Sequence, residues 1–307
     1  MVQSSLPPGD NLQPKRVDGR RRKAVQAGKP RQATRRTAAS PKGRPRGRKS
    51  PKGKKELPLV VKLLLMGGCA ALFVVGFYYL FIRPYAYRWK SCYGAKAYGV
   101  CLPTGFPVHG FDVSHHQGDI DWEALRSTQT APFPIRFVFM KASEGGDFSD
   151  TTFTHNFDMA RKHGFIRGAY HFFNPKTDPI RQADFFIESV RLESGDLPPV
   201  LDIEKRGKDD RRLRAQLKMW LDRVESHYKV KPILYTSYKF KTRYLNDSVF
   251  NTYPYWIAHY YVDSVEYDGP WTFWQHTDAG RLPGIGERVD LNVFNGSLEQ
   301  LQQLLIP

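Results

Sequence analysis

The chain has 307 residues, of which 47 are Lys or Arg and 30 are Asp or Glu, so its formal net charge is +17. This charge is concentrated at one end, because residues 1–56 contain 18 basic and three acidic residues while the remaining chain has a net charge of only +2. The distribution argues against a nucleic-acid-binding domain. Aromatic residues make up 14% of the chain and lie almost entirely after this basic segment, where they can build a sizeable core.

The basic segment, residues 1–56, is rich in Lys, Arg, Pro, Gly, Ser and Gln and has almost no apolar pattern. Such a segment cannot bury enough apolar surface to offset the loss of chain entropy, so we expect a disordered tail. Its clusters at 20–23 and 52–55 resemble nucleic-acid-binding patches. Because an apolar segment follows directly, we favour a role in orienting a membrane span and binding anionic lipid, and we expect no specific nucleic-acid partner.

Residues 63–82 contain no charged side chain and are flanked by Lys62 and Arg83. Twenty helical residues extend about 30 Å, which is enough to cross the hydrocarbon core of a bilayer. We therefore expect a membrane anchor over 57–83. A cleaved signal peptide is the competing interpretation, but the preceding region is too long and no clear small-x-small cleavage site follows. The basic tail predicts a single-pass protein of the cytoplasmic membrane with its N-terminus in the cytoplasm. The remaining chain is then extracytoplasmic, or periplasmic where an outer membrane exists.

Residues 84–105 form a connector that contains Cys92 and Cys101. Outside the cytoplasm these two residues can form a disulfide that closes a short loop, and the alternative is a pair of free thiols. Cys69 lies within the apolar segment, where we expect it to act as a small apolar residue.

Residues 106–307 alternate short apolar runs with helical patterns, which favours one α/β domain with parallel strands. Eight runs are strand candidates, and the spacing of the later ones leaves little room for helices. Helices are predicted over 153–163, from an N-cap at Asp178 followed by Pro179, and over 211–228. The pattern predicts an irregular TIM-like barrel with few helices. The strand candidates are 109–113, 136–141, 166–173, 199–204, 232–236, 255–259, 272–276 and 290–294.

Four acidic residues lie at or near the ends of these runs, where the functional residues of such barrels cluster. Asp202 and Glu204 are two residues apart, so a strand would place both side chains on one face, roughly 6.5–7 Å apart at the backbone. Two carboxylates in one enclosed site repel, which raises one pKa and keeps one group protonated as a general acid. Asp112 and Asp290 accompany two further strands, although each alone could be a turn or capping residue.

Other chemistries have weaker support in the sequence. Histidines occur at several strand ends, but their spacing matches no standard zinc signature, so we expect no catalytic metal. No phosphate-binding loop or dinucleotide fingerprint is present, and we expect no cofactor. Ser114 lies outside any Gly-x-Ser-x-Gly motif, which leaves a serine hydrolase without support. Aromatic side chains at strand ends suit the stacking of sugar rings, although each alone is more often part of a core.

Several motifs in the same order resemble glycoside hydrolase family 25, the Chalaropsis-type lysozymes. They are GFDVSHHQGDIDW at 110–122, FVFMKASEG at 137–145, GAYHFF at 168–173, PVLDIE at 199–204, WIAHY at 256–260, FWQH at 273–276 and VDLNVF at 289–294. The resemblance covers most of the domain. It implies a flattened barrel that cleaves the β-1,4 bond between N-acetylmuramic acid and N-acetylglucosamine in peptidoglycan.

The resemblance also implies roles for individual residues. Glu204 would be the general acid, and Asp202 would steady a reacting N-acetyl group or the developing positive charge. Asp112 and Asp290 would line the site. The candidate substrate-binding residues are Tyr170, His171, Tyr235, Trp256, Tyr260, Trp274, Gln275 and Glu144.

Several alternatives stay open at this point. The 2-acetamido group of the substrate could act as an internal nucleophile, or water could attack directly, and spacing alone does not choose between them. The domain could be an inactive glycan-binding module, a sensor whose tail recruits a cytoplasmic partner, or a hydrolase of another N-acetylated polysaccharide. No wall-binding repeat is present, so a membrane tether would replace one by raising the local concentration near the wall.

Overall fold

A computed structural model describes residues 57–83, 92, 94–267 and 269–307. The predicted basic tail and residues 84–91 and 93 of the predicted connector lie outside these residues. The first described element is helix α1, Leu59–Phe77, which continues as a π-helix over Tyr78–Ile82. Together they form a segment of 24 residues with a mean hydropathy of 2.3, and its apolar side chains are not buried against the rest of the protein. By length and composition this segment is a candidate membrane span.

Eight strands close into a barrel, in the order β3-β11-β10-β9-β8-β7-β6-β4, with β4 pairing back to β3. All neighbours are parallel except that β11 runs antiparallel to both β10 and β3. The short strand β5 extends the sheet beside β4, and β1 and β2 form a separate hairpin. The strands are β1 Lys96–Ala97, β2 Val100–Cys101, β3 His109–Val113, β4 Ile135–Glu144, β5 Phe148–Ser149, β6 Ile166–Phe172, β7 Val200–Asp202, β8 Ile233–Ser237, β9 Tyr255–Ala258, β10 Phe273–Gly280 and β11 Val289–Phe294.

Helices cover only part of the outer face of the barrel. The predicted cap at Asp178 is present, since its carboxylate accepts a hydrogen bond from the backbone N–H of Arg181 and Pro179 is the first helical residue. No helix occurs in the described part of the β9–β10 connection, and β10 turns directly into β11. The remaining helices are α2 Trp122–Arg126, α3 Phe153–Lys162, α4 Pro179–Ser189, α5 Asp210–Tyr228, α6 Tyr238–Tyr244 and α7 Leu298–Leu304, with 3-10 turns at His115–Gln117, Ser127–Thr130 and Ser248–Thr252.

The barrel interior is filled by aromatic rings. Phe139 stacks on Trp256 with 4.3 Å between ring centroids, and it meets Phe137 and Phe273 edge-on. Glycines on the neighbouring strands make room for these rings. A Cβ on Gly110 would lie 2.4 Å from the Phe137 ring, and one on Gly168 would lie 2.6 Å from the Phe139 ring. The interior is therefore a packed core that closes the barrel below its mouth.

A second core lies between the sheet and the helices. Helix α5 buries one face at the helical spacing predicted from the sequence, and it packs against α4 through Trp220 and Phe186, whose ring centroids are 5.5 Å apart. This layer holds the outer side of the strands in place, so that the residues at their carboxyl ends share a fixed frame.

The β1–β2 hairpin lies in the segment that we predicted to be a connector. Tyr98 and Gly99 form its turn with φ values of 52° and 78°, and Cys92 and Cys101 form a disulfide. The hairpin is fixed to the barrel by two hydrogen bonds, from the backbone N–H of Arg281 to the Tyr98 carbonyl at 2.8 Å and from the Tyr98 hydroxyl to the Phe133 carbonyl at 2.6 Å.

Candidate active site

A pocket of about 220 Å³ opens at the carboxyl ends of the parallel strands. Four acidic residues from three places in the barrel wall line it. Asp112 is on β3, Asp202 ends β7 with Glu204 two residues further on, and Asp290 is on β11. The pairing register places Asp290 directly opposite Asp112. The structure therefore brings together the four acids that were predicted to converge.

The direction of β11 explains how Asp290 reaches this pocket. Functional side chains in parallel barrels come from the carboxyl ends of the strands. Asp290 is instead near the amino end of its strand. Because β11 runs antiparallel to its neighbours, its amino end lies at the same edge of the sheet as their carboxyl ends.

Gln275 is the centre of the hydrogen-bond network in the pocket. Its amide nitrogen donates to Asp112 at 2.8 Å and to Asp290 at 3.2 Å. Its amide oxygen accepts from the hydroxyls of Tyr235 and Tyr260, both at 2.7 Å. One buried amide thus fixes two carboxyls and two phenols at once, which holds the wall of the pocket rigid.

Glu204 and Asp202 have different surroundings although they are two residues apart. Glu204 is exposed at the mouth of the pocket, where one carboxylate oxygen accepts a hydrogen bond from the Tyr235 hydroxyl at 3.3 Å. Asp202 is buried, and its Oδ1 has no hydrogen-bond partner among the described residues. A buried and unpaired carboxyl oxygen in the wall of a pocket is available to a bound ligand.

The buried acids hold their protons to unusually high pH. Burial, and next the charge of Glu204, raise the pKa of Asp202 well above its usual range. Burial likewise raises the pKa of Asp112 to about 7, although hydrogen bonds from Asn292 and Gln275 oppose the rise. The pKa of Asp290 rises to about 9 through burial and then through the charge of Asp112. The pocket therefore combines carboxyls whose surroundings favour the neutral form with one exposed carboxyl.

A cluster of cations and aromatic rings lies at one side of the mouth. Lys141 forms an ion pair with Glu144 at 2.6 Å and lies 4.9 Å from the centre of the Phe172 ring. Lys205 approaches the same ring at 4.5 Å and lies 4.0 Å from Glu144. Glu144 is thus beside the pocket in an ion-paired position rather than in its lining.

Two predicted substrate-binding residues lie elsewhere. His171 is fully buried on the outer face of β6, where it stacks on Trp220 and lies within hydrogen-bond distance of Ser143 and Gln182. Trp274 is on the outer face of β10, and its indole N–H donates to the carbonyl of His259 at 2.8 Å. Neither side chain lines the pocket, because each strand alternates its side chains between the two faces. The predicted residues that do line it are Tyr170, Tyr235, Trp256, Tyr260 and Gln275.

Sequence reasoning missed several residues of the pocket. Lys141, Phe172, Ser114 and His116 belong to its lining. Asn292 supports it from the core, since its amide donates to Asp112 at 2.7 Å and accepts from the Trp256 indole N–H at 2.8 Å. A signal was available for Phe172, which is two residues from Tyr170 on the same strand and so shares its face. Across the described residues, no group of three His, Cys, Asp or Glu side chains is arranged to hold a metal ion.

A closed barrel whose mouth carries four acids among aromatic rings is the arrangement of a barrel-type glycoside hydrolase. Residues 111–285 match the family model described as Glycosyl hydrolases family 25, and the chain belongs to this family. Over 224 residues it is 40% identical to the uncharacterized protein YegX of Escherichia coli K12, covering 72% of this chain and 80% of that one. It is 34% identical to Lysozyme M1 of Streptomyces globisporus, covering 64% and 71% of the two chains.

The fold agrees with solved structures of the same family. A family 25 glycosyl hydrolase from Bacillus anthracis superposes with a TM-score of 0.61 at 31% identity, over 68% of this chain and 99% of that one. The family match begins at residue 111, so the apolar helix and the β1–β2 hairpin precede it.

Proposed function

We propose that this protein is a peptidoglycan hydrolase that cleaves the β-1,4 bond between N-acetylmuramic acid and N-acetylglucosamine, with Glu204 as the general acid. The observation that carries the proposal is the contrast between two neighbouring carboxyls, since Glu204 is exposed at the mouth and Asp202 is buried with an unpaired oxygen. Membership of family 25 and the similarity to a lysozyme support the choice of substrate.

The exposed carboxyl suits proton transfer to the leaving group. A general acid must reach the glycosidic oxygen, and Glu204 is the acid in the pocket that is most accessible from outside. The Tyr235 hydroxyl contacts one of its oxygens and so limits the directions that the carboxyl can take. When Glu204 has given its proton to the leaving oxygen, its carboxylate can accept one from the incoming water, as microscopic reversibility requires.

The buried carboxyl suits an acetamido group. The unpaired Oδ1 of Asp202 can accept a hydrogen bond from the N–H of a 2-acetamido group bound in the pocket. This contact would turn the acetamido oxygen toward the anomeric carbon, where it forms the new bond as the leaving oxygen departs. Water then opens the cyclic intermediate with net retention of configuration. Direct attack by water would instead invert the configuration, so proton NMR of the first-formed anomer distinguishes the two routes.

The experiment that tests the function compares the full-length protein in detergent micelles with its Glu204→Gln variant. We expect purified peptidoglycan treated with the wild-type protein to release fragments with N-acetylmuramic acid at the reducing end. The variant should lose 10²-fold or more of this rate, because general-acid catalysis contributes about 10²–10⁴-fold. Glu287→Gln, a change at an exposed glutamate before β11, is the matched control and should keep full activity.

Two other results would contradict the proposed cleavage. If neither the wild-type protein nor the control releases fragments while both still bind peptidoglycan, the domain is a glycan-binding module. If both release fragments with N-acetylglucosamine at the reducing end, the enzyme cleaves the other glycosidic bond of the strand.

We also propose that the helix Leu59–Ile82 anchors the protein in the cytoplasmic membrane, with residues 1–56 in the cytoplasm and the barrel outside. The length and hydropathy of the helix support a span, and the excess of basic residues before it supports this orientation. In this arrangement the tether holds the barrel close to the wall and raises its local concentration there.

A further inference from the structure

A second cavity, of about 440 Å³, lies on the outer face of β10, between that strand and the β1–β2 hairpin. We refer to it as the hairpin pocket, and the six residues that matter for it are Lys96, Tyr261, Trp274, His276, Arg281 and Arg288. Helices pack on the outer face of other strands, among them β4, β6 and β8. The described parts of the connections around β10 contain no helix, and the hairpin covers this face instead. The hairpin precedes the family 25 match, so this pocket depends on a part of the chain outside it.

The hairpin pocket is positively charged. Three cationic side chains line it, and the described lining includes no Asp or Glu. Lys96 is on β1, whereas Arg281 and Arg288 lie at the two ends of the β10–β11 connection. None of the three is among the ion pairs of the described residues. Cationic groups that converge on a cavity without acidic partners attract anions from solution.

A buried nitrogen in the same pocket also lacks a partner. His276 is 5% exposed and lines the cavity, and its Nε2 has no hydrogen-bond partner among the described residues. Buried polar atoms are usually hydrogen-bonded, so an unpaired one on a residue that lines a cavity marks that residue as a candidate ligand contact. The Trp274 ring lies beside it, with 5.7 Å between ring centroids.

The hairpin pocket is directly behind the wall of the active site. Tyr260 lines the catalytic pocket and Tyr261 lines the hairpin pocket, so their Cα atoms are about 3.8 Å apart. Likewise, Asp290 lines the catalytic pocket and Arg288, two residues before it, lines the hairpin pocket. Tyr261 has a φ of 60°, in the left-handed region that few non-glycine residues adopt, and such positions concentrate at functional sites.

We propose that the hairpin pocket binds a carboxylate on the peptide stem of the peptidoglycan strand held in the active site. This proposal rests on the proposed hydrolysis of peptidoglycan. Neutral sugar rings offer no negative charge to the three cationic side chains of the hairpin pocket. The peptide stems attached to muramic acid do, because they end in carboxylates. Guanidinium groups bind carboxylates through paired hydrogen bonds, which suits Arg281 and Arg288. The Nε2 of His276 is then available to an amide of the same stem.

The first test measures binding without cleavage. It uses the full-length protein with Glu204→Gln in detergent micelles and a synthetic disaccharide that carries a tetrapeptide stem. Calorimetry compares the stem with free carboxylates against the same stem with carboxamides. We expect the carboxamide ligand to bind about tenfold more weakly, because it loses charge-assisted hydrogen bonds. Adding Arg281→Gln and Arg288→Gln should weaken the carboxylate ligand by a similar factor and abolish the difference between the two ligands.

Matched controls separate the pocket from general charge effects. Arg126→Gln with Arg243→Gln removes the same charge from two exposed arginines away from the pocket and should leave the preference for carboxylate intact. Glycerol phosphate serves as the phosphate probe. If it binds to the pocket and the stem carboxylates make no difference, the pocket takes phosphate and the proposal is overturned.

The second test separates this proposal from the proposed function. With strands that retain their stems, we expect the double variant at Arg281 and Arg288 to raise KM about tenfold with kcat unchanged, since it removes binding rather than chemistry. With strands stripped of their stems it should match the wild-type protein. Equal effects on both substrates would overturn the proposal. If the wild-type protein cleaves neither substrate but still binds the carboxylate ligand more tightly, the proposed hydrolysis is wrong and the proposed carboxylate site is supported.

Discussion

At the scale of single residues, the candidate active site places acidic groups where burial makes their charged form unfavourable. Gln275 joins Asp112 and Asp290 in one hydrogen-bond network, and Asp202 lines the same pocket without joining it. Burial and mutual repulsion disfavour the charged form of each aspartate, so their pKa values rise. A group that must stay protonated in the folded state at neutral pH makes folding less favourable as the pH increases.

Asp290→Asn should therefore stabilise the protein, and increasingly so at higher pH. The pKa of Asp290 is raised to about 9, above its value in the unfolded chain. Between these two values the folded state binds more protons than the unfolded state, so the contribution of Asp290 to stability falls as pH rises. Asn cannot ionise, so the variant should gain about 1 kcal/mol or more at pH 8 relative to pH 4, a shift of about 2–4 °C in Tm.

Thermal unfolding of wild type and variant at both pH values measures this effect. Asp119→Asn is the control, because Asp119 is exposed on the surface. A variant at Asp290 whose gain in Tm is the same at pH 4 and pH 8 would show that ionisation of this group does not limit stability.

The sequence predicted which strand ends form the candidate site, but it did not always predict which face of the strand a side chain occupies. The four acids were found because polar residues at either end of buried apolar runs are conspicuous, whereas Gln275 came from the family resemblance. His171 and Trp274 were included although each is next to a residue that lines the pocket, Tyr170 and Gln275 respectively. Neighbouring residues on a strand point to opposite faces, so only one residue of each pair can line the pocket.

At the scale of strands and helices, the interior of the barrel depends on glycines opposite large rings. Gly168→Ala should lower the free energy of unfolding by about 1–3 kcal/mol, because the new methyl group overpacks the barrel core. Its Cβ would lie 2.6 Å from the Phe139 ring, and this ring is fully buried against Trp256 and cannot move aside.

Chemical denaturation measures this loss, and the chain offers a matched control. Gly286→Ala adds the same methyl group where no atom lies within 4 Å, and it should change stability by less than about 0.5 kcal/mol. If both substitutions proved equally mild, the ring packing inside the barrel would be looser than the structure indicates.

All eight barrel strands were predicted within a few residues, because each is an apolar run long enough to recognise. Their directions were not all predictable. A run such as β11 has the same composition whether it is parallel or antiparallel, and only its pairing with β3 and β10 reveals its direction. The β1–β2 hairpin was missed because strands of two residues leave no periodic pattern.

At the scale of the whole molecule, the chain combines a family 25 barrel with an apolar helix that precedes it. The proposed membrane orientation and the Cys92–Cys101 disulfide are linked, because such a bond persists only in an oxidising compartment. The disulfide also closes the loop that carries the hairpin. The location of the barrel relative to the membrane therefore bears on the integrity of the hairpin pocket.

This link gives a prediction about the three cysteines of the chain. If the barrel is outside the cytoplasm, Cys92 and Cys101 are oxidised in cells and only Cys69 remains a thiol. Membranes prepared without reductant, unfolded in detergent and treated with a maleimide should yield protein with one label. Reduction before labelling should raise the number to three. The Cys92→Ser variant should take up two labels without reduction, because it frees Cys101. Three labels on unreduced wild-type protein would place the barrel in the cytoplasm and reverse the proposed orientation, since glutathione keeps thiols reduced there.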